Sequence, residues 1–65
     1  MDYVKGHCTT NRDDYITYVT RFYRVPNPGE RVGCLYRGRD ASLKVYQVTH
    51  TIKDEEPYII VELNN

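Results

Sequence analysis

The residues best equipped for chemistry are two histidines and two cysteines: His7, Cys8, Cys34 and His50. By type they make up a Cys2His2 zinc set. Structural zinc sites, however, present ligand pairs roughly two to five residues apart, so that both side chains converge on one ion. Here His7 and Cys8 are adjacent, while Cys34 and His50 each stand alone, and the spacing points away from metal. The ordinary reading is a buried free thiol at Cys34 and a strand histidine at His50 bonded to a neighbour. A Cys–His nucleophile needs a nearby base to lower the thiol pKa, an oxyanion site and a cleft. Sixty-five residues leave little room for a pocket of ordinary size. Carboxylates cluster at Asp13-Asp14 and Asp54-Glu55-Glu56, but in polar turns, where solvent denies them the contrasting environments of acid–base catalysis. Gly29, Gly33 and Gly38 fit turn and bulge positions, not a phosphate-binding loop. The expectation is a chain with no enzymatic activity, no metal and no cofactor.

What remains is surface recognition. Seven tyrosines, one phenylalanine and no tryptophan supply large, few-rotor side chains with polar tips, which suit interfaces when arginine lies beside them. Tyr23, Arg24, Arg31, Tyr36, Arg37 and Arg39 fall in or beside the basic middle of the chain. The segment from Arg21 to Lys44 carries six basic residues against two acidic ones, and that from Lys53 onward one basic against four acidic. The acidic run Asp54, Glu55 and Glu56 is therefore a second candidate contact, suited to a basic patch on a partner. The simpler reading of this asymmetry is intramolecular pairing between neighbouring strands. Bases stacked on tyrosines, with arginines on phosphates, offer a nucleic-acid alternative. Net charge of zero and a pI of about 6.7 favour protein over nucleic acid.

These residues must be positioned by strands. Leu43–Ile52 and Tyr58–Leu63 are dense in β-branched and aromatic side chains and read as a β-hairpin closed by the charged connection Lys53–Pro57. Upstream, Arg31–Tyr36 reads as a short strand weakened or bulged at Gly33, and residues 37–42 as a turn. Val25–Glu30, with two prolines and Gly29, is a loop. The segment from Arg12 to Val25 supports two readings. As a helix it has Asn11 as N-cap and Asp13 and Asp14 in the first turn. As a strand it offers strong β formers from Tyr15 to Val25 and almost no good helix formers. We take it as a long, bent strand serving more than one part of a small barrel, with Ile16, Tyr18 and Phe22 on one face. Residues 1–11 read as an irregular N-terminal segment, with at most an edge strand near Tyr3-Val4, ahead of one small β domain over 12–65. The expected fold is all-β: a small antiparallel SH3-like barrel or a curled sheet of four or five strands. If 12–25 is helical, the fold becomes α+β, with one helix on a three-stranded sheet.

The stretches Val25–Val32, Val45–His50 and Pro57–Leu63 resemble those of short β-rich proteins encoded by bacteriophages and prophages. Members of that group, anti-CRISPR inhibitors among them, act by occluding a surface of a bacterial machine. The resemblance implies an inhibitory protein-binding role and supplies no site residues. The N-terminus has no apolar run of signal-peptide length, and no stretch approaches the roughly 20 apolar residues of a membrane span. The expected setting is cytoplasmic, with reduced thiols. The expected partner is another protein, bacterial in origin. A chain this short buries a marginal core, so a homodimer or self-associating subunit is also in view.

Overall fold

The computed structural model describes residues 2–64 and is all-β. Six strands run in chain order: β1 (Val4–Thr10), β2 (Tyr15–Thr17), β3 (Arg21–Phe22), β4 (Arg31–Tyr36), β5 (Arg39–Lys53) and β6 (Glu56–Asn64). They form one curled mixed sheet in the order β2-β4-β5-β6-β1-β3. The helical alternative for 12–25 is thereby overturned.

The hairpin β5–β6 holds the middle of that sheet. Its turn is tighter than the sequence indicated. Asp54 and Glu55 alone form it, both with positive φ (53° and 64°), the geometry of a type I′ turn whose twist matches the flanking strands. Lys53 pairs with Glu56 and Ile52 with Pro57, so Pro57 belongs to a strand rather than to the connection. The β4–β5 link is equally short. Arg37 and Gly38 (φ 51° and 78°) make the turn, and residues 39–42, read as turn, are already strand. The sheet irregularity lies between Val45 and Gln47, not at Gly33, whose pairing with Ser42 is regular. Fifteen residues at about 3.3 Å each exceed the 35 Å long dimension of the molecule, so β5 has to coil, and the bulge gives it a place to bend.

The segment 15–22 does serve two places. Tyr15–Thr17 pairs with β4 at one edge of the sheet, and Arg21–Phe22 pairs with β1 at the other. Between them the chain bridges the two edges. The Gly6 amide donates to the Thr20 carbonyl (3.1 Å), and the Thr17 hydroxyl donates to the Cys8 carbonyl (3.1 Å). The facing differs from the expected one. Tyr15 and Val19 pack against the core, Ile16 and Tyr18 point to solvent, and the alternation slips by one before Phe22, which is buried. That slip lets one extended segment leave one edge and join the other.

The N-terminal segment is the main correction. Val4–Thr10 is a strand, parallel to β6 and antiparallel to β3, and it adds the sixth strand and the only parallel pairing among the described residues. Gly6 is there because nothing larger fits. An added Cβ meets the Ile59 carbonyl oxygen, lies 2.7 Å from Ile59 Cγ1 and 3.1 Å from the Phe22 ring. The core beneath consists of Cys8, Phe22, Cys34, Leu43, Val45, Ile59, Val61 and Leu63.

Candidate protein-binding surfaces

The arginine–tyrosine residues singled out from the sequence divide between the two ends of β4, about 17 Å apart at 3.3 Å per residue. At the first end, Tyr23, Arg24 and Arg31 line a shallow concavity together with Arg21. Tyr23 is 74% exposed and meets the Tyr3 ring edge-on at 5.7 Å, while Arg21 lies 5.2 Å over Tyr3. Arg24 is committed to Glu30 at 3.0 Å. The Glu30 carboxylate also accepts the Asn27 amide at 2.9 Å, and these two bonds hold its pKa below the ordinary carboxylate value. Arg31 donates Nε to the Ser42 hydroxyl at 3.0 Å. At the other end, Tyr36 packs on Tyr15 at 4.8 Å, with Arg37 over Tyr36 and Arg12 over Tyr15. Arg39 pairs with Tyr36 across the turn. These rings are largely occupied by one another and by arginine.

The acidic run occupies a third place, the tip of the β5–β6 hairpin. The basic middle and the acidic end do not pair with each other. The ion pairs among the described residues are Lys5–Glu56, Arg12–Asp14 and Arg24–Glu30. Asp54 and Glu55 join none of them, and the pairing of charges between neighbouring strands is confined to Lys5 and Glu56.

What the sequence reading missed is the arm that carries the tip. β5 is paired with β4 only from Arg39 to Lys44. At Val45 its outer edge is met by the loop, the Val45 amide donating to the Glu30 carbonyl (2.7 Å) and the Gly29 amide to the Val45 carbonyl (2.9 Å). From Gln47 to Lys53 β5 is paired with β6 alone. Over Gln47–Thr51 β6 is itself backed by β1, so this arm of the hairpin is a part of the sheet whose outer edge is β5. Only Ile52-Lys53 with Glu56-Pro57 project beyond it as two strands. The arm's convex face is filled by its own contacts. Gln47 donates to Glu62 at 3.0 Å, Lys53 lies over the Tyr58 ring at 4.9 Å, and the Tyr58 hydroxyl meets His7 Nδ1 at 2.8 Å. Its concave face is covered only in part: Val48 packs against the core and Ile59 is buried, while His50 and Ile52 are exposed. Ile52 is 75% exposed, and with His50, Pro57 and Ile59 it borders a largely apolar groove of about 330 Å³ closed at the back by Val4 and Val25. A signal was present in the sequence: the alternation Val48, His50, Ile52 places these three on one face of a strand longer than its neighbours.

The two histidines exchange their expected roles. His7 is the one hydrogen-bonded to a neighbour, whereas His50 is exposed and has no side-chain hydrogen bond among the described residues. Cys8 and Cys34 are free and buried. Burial, and to a lesser extent the neighbouring Cys34, pushes the Cys8 thiol up to about 11, and burial likewise raises Cys34. Burial thus favours the neutral thiol at both positions. Among the described residues, no three His, Cys, Asp or Glu side chains gather as a metal site, and no helix is long and apolar enough to cross a membrane.

No family model, no curated protein and no solved structure matches this chain.

Proposed function

We propose that this chain is a non-enzymatic protein-binding module that works in the cytoplasm and meets its partner through the free arm of the β5–β6 hairpin. The observation that carries the reading is the combination at that arm of an unpaired strand edge with an open apolar face. A long edge strand with exposed apolar side chains is a template for another chain, which natural proteins otherwise blunt with charge, proline or cover. Here three carboxylates, Asp54, Glu55 and Glu56, gather at the tip beside the single cation Lys53, and their net negative charge steers approach and favours a basic surface. An extended segment laid along the edge gains main-chain hydrogen bonds and sets its alternate side chains in the groove. The resemblance to short phage-encoded β proteins adds the expectation that such binding occludes a bacterial target.

The nucleic-acid reading has one feature on its side, the exposed Tyr23 among Arg21, Arg24 and Arg31. Against it stand the acidic tip and the mutual occupation of Tyr15 and Tyr36. A tagged pull-down from bacterial lysate, with and without nuclease and with Ile52→Asp alongside, separates the two. A stoichiometric protein that survives nuclease and is lost with Ile52→Asp supports the arm. Recovery that depends on nucleic acid, or that is indifferent to Ile52, removes it.

A further inference from the structure

We infer that the arm pairs with a second copy of this chain, β5 against β5 in antiparallel register centred on His50. The inference rests on the protein-binding reading above and names the partner for that surface.

The first support is the direction of the backbone groups. A two-residue turn closes on a hydrogen-bonded pair, here Lys53 and Glu56. Pairs along an antiparallel ladder then alternate, so Thr51–Tyr58 and Thr49–Ile60 exchange bonds within the hairpin. Ile52, His50 and Val48 fall at the other positions and turn their N–H and C=O outward. Pro57, which has no N–H, sits opposite Ile52, where the hairpin asks for none. Val45, next in this outward set across the bulge, shows what the outer groups do when a neighbour is present, bonding to Gly29 and Glu30. For Val48, His50 and Ile52 no strand or loop among the described residues bonds to the backbone on that side.

The second support is self-complementarity, which a two-fold interface demands. With His50 on the dyad, Val48 meets Ile52 of the other copy and Ile52 meets its Val48. All these positions point their backbone groups outward, so each facing pair exchanges both of its bonds. On the opposite face Thr49 meets Thr51, and Gln47 meets Lys53. Apolar β-branched residues face one another, threonines face threonines, and no like charges are opposed.

The third support is electrostatic. The ladder ends at the Gln47–Lys53 pair, because the outer groups of Val45 are bonded to Gly29 and Glu30. The acidic turn of one copy then lies next to the Arg31 and Lys44 end of the other, where the Glu30 carboxylate is already paired with Arg24. Arg31 and Lys44 are directly opposite each other across β4 and β5, a like-charge pair that costs stability. Neither has a carboxylate partner among the described residues. Asp54 and Glu55 supply from the second copy the charge that this pair lacks.

The 65-residue chain, studied by sedimentation equilibrium at neutral pH, is expected to reach twice its 7.7 kDa mass as concentration rises. His50→Pro removes an outward N–H while leaving the bonds to β6 intact, so it is expected to keep the fold by circular dichroism and to weaken dimerisation at least tenfold. The register is read by cysteine substitution. Facing residues in a hydrogen-bonded antiparallel pair lie about 5.5 Å apart at Cα, within disulfide range. With oxidised glutathione as oxidant, His50→Cys is expected to give a covalent dimer, and Gln47→Cys, whose own dyad mate is out of reach, is not. The native thiols are buried and stay out of the reaction. A strict monomer at all concentrations with no His50→Cys cross-link overturns the self-pairing, as does equal cross-linking at both positions. The lysate pull-down with Ile52→Asp then decides independently whether the arm binds some other protein.

Discussion

The two halves of β5 have similar composition and different surroundings. From Arg39 to Val45 the strand pairs with β4 up to Lys44 and with β6 from Lys44 on, and Leu43 and Val45 are buried. From Gln47 to Lys53 it has β6 on one side only, and Ile52, as apolar as Leu43, is left in solvent. β propensity alone cannot distinguish the halves, because it reports fit to a pleated surface rather than the number of strands beside it. The difference marks where folding uses the strand and where the strand is available to something else.

The contrast is tested most severely by truncation. Leu43→Ala is expected to cost about 2–5 kcal/mol, a large share of the stability of so small a domain, whereas Ile52→Ala is expected to stay within about 0.5 kcal/mol. Urea unfolding followed by circular dichroism reads both, and equal losses would erase the distinction between core half and free arm.

Gly6→Ala sharpens the comparison on the closed side. The added methyl collides with backbone at Ile59 as well as with side chains, so about 1–3 kcal/mol is expected from overpacking. Gly38, where a Cβ meets nothing but φ is 78°, offers a control governed by backbone strain alone.

At the arm the expected effect has the opposite sign. Replacing Asp54-Glu55 by Asn-Gly suits both positive-φ positions and is expected to raise stability by about 1 kcal/mol. The same change removes two tip charges and is expected to slow association with any basic surface, measurable by stopped-flow at low and high salt. A variant both more stable and undiminished in binding would show that the acidic tip has no part in recognition.

The smallest effect concerns pH and belongs to the core on the far side of β6, where Cys8 stands opposite Val61. The Cys8 thiol rises from an ordinary value of 9.0 to about 11 in the folded chain. A raised value means that its contribution is complete below pH 9 and is lost as pH climbs through about 11. Thermal melts across that window are expected to show falling stability, and Cys8→Ser to flatten that part of the curve. Insensitivity of the wild-type chain there would contradict the burial of this sulfur.

Several elements were legible because they rest on local steric rules. The hairpin and the bounds of β4 follow from β-branched and aromatic density and from turn residues, whereas the long strand read over 12–25 is reduced to Tyr15–Thr17 and Arg21–Phe22. The Arg37-Gly38 turn was marked by its glycine. Asp54-Glu55 is marked less clearly, because Asp tolerates positive φ but Glu55 stands where glycine is the usual residue, and its span was read too wide. β1 was hidden for a related reason. Glycine in a strand reads as a break, and only the proximity of Phe22 and Ile59, residues far from Gly6 in the chain, shows it as a close approach. The candidate site fared unevenly. Each tyrosine, arginine and acid could be named, but the grouping of Tyr23 with Arg31 and of Tyr36 with Tyr15, and the remoteness of both from the tip, depend on which strands are neighbours.

The sequence by itself determined that this chain is built of strands and where its hairpin lies. These are properties of side-chain shape and period, and each is decided within a few residues. Tertiary structure alone decided that β1 enters the sheet parallel to β6, that 15–22 changes edge by slipping one residue in phase, and that β5 outruns its neighbours. Those outcomes depend on pairings across tens of residues, where each strand's facing is set by the surface it meets. The bare edge at Val48, His50 and Ile52 is the consequence, a strand whose local preference is satisfied on one side and still open on the other.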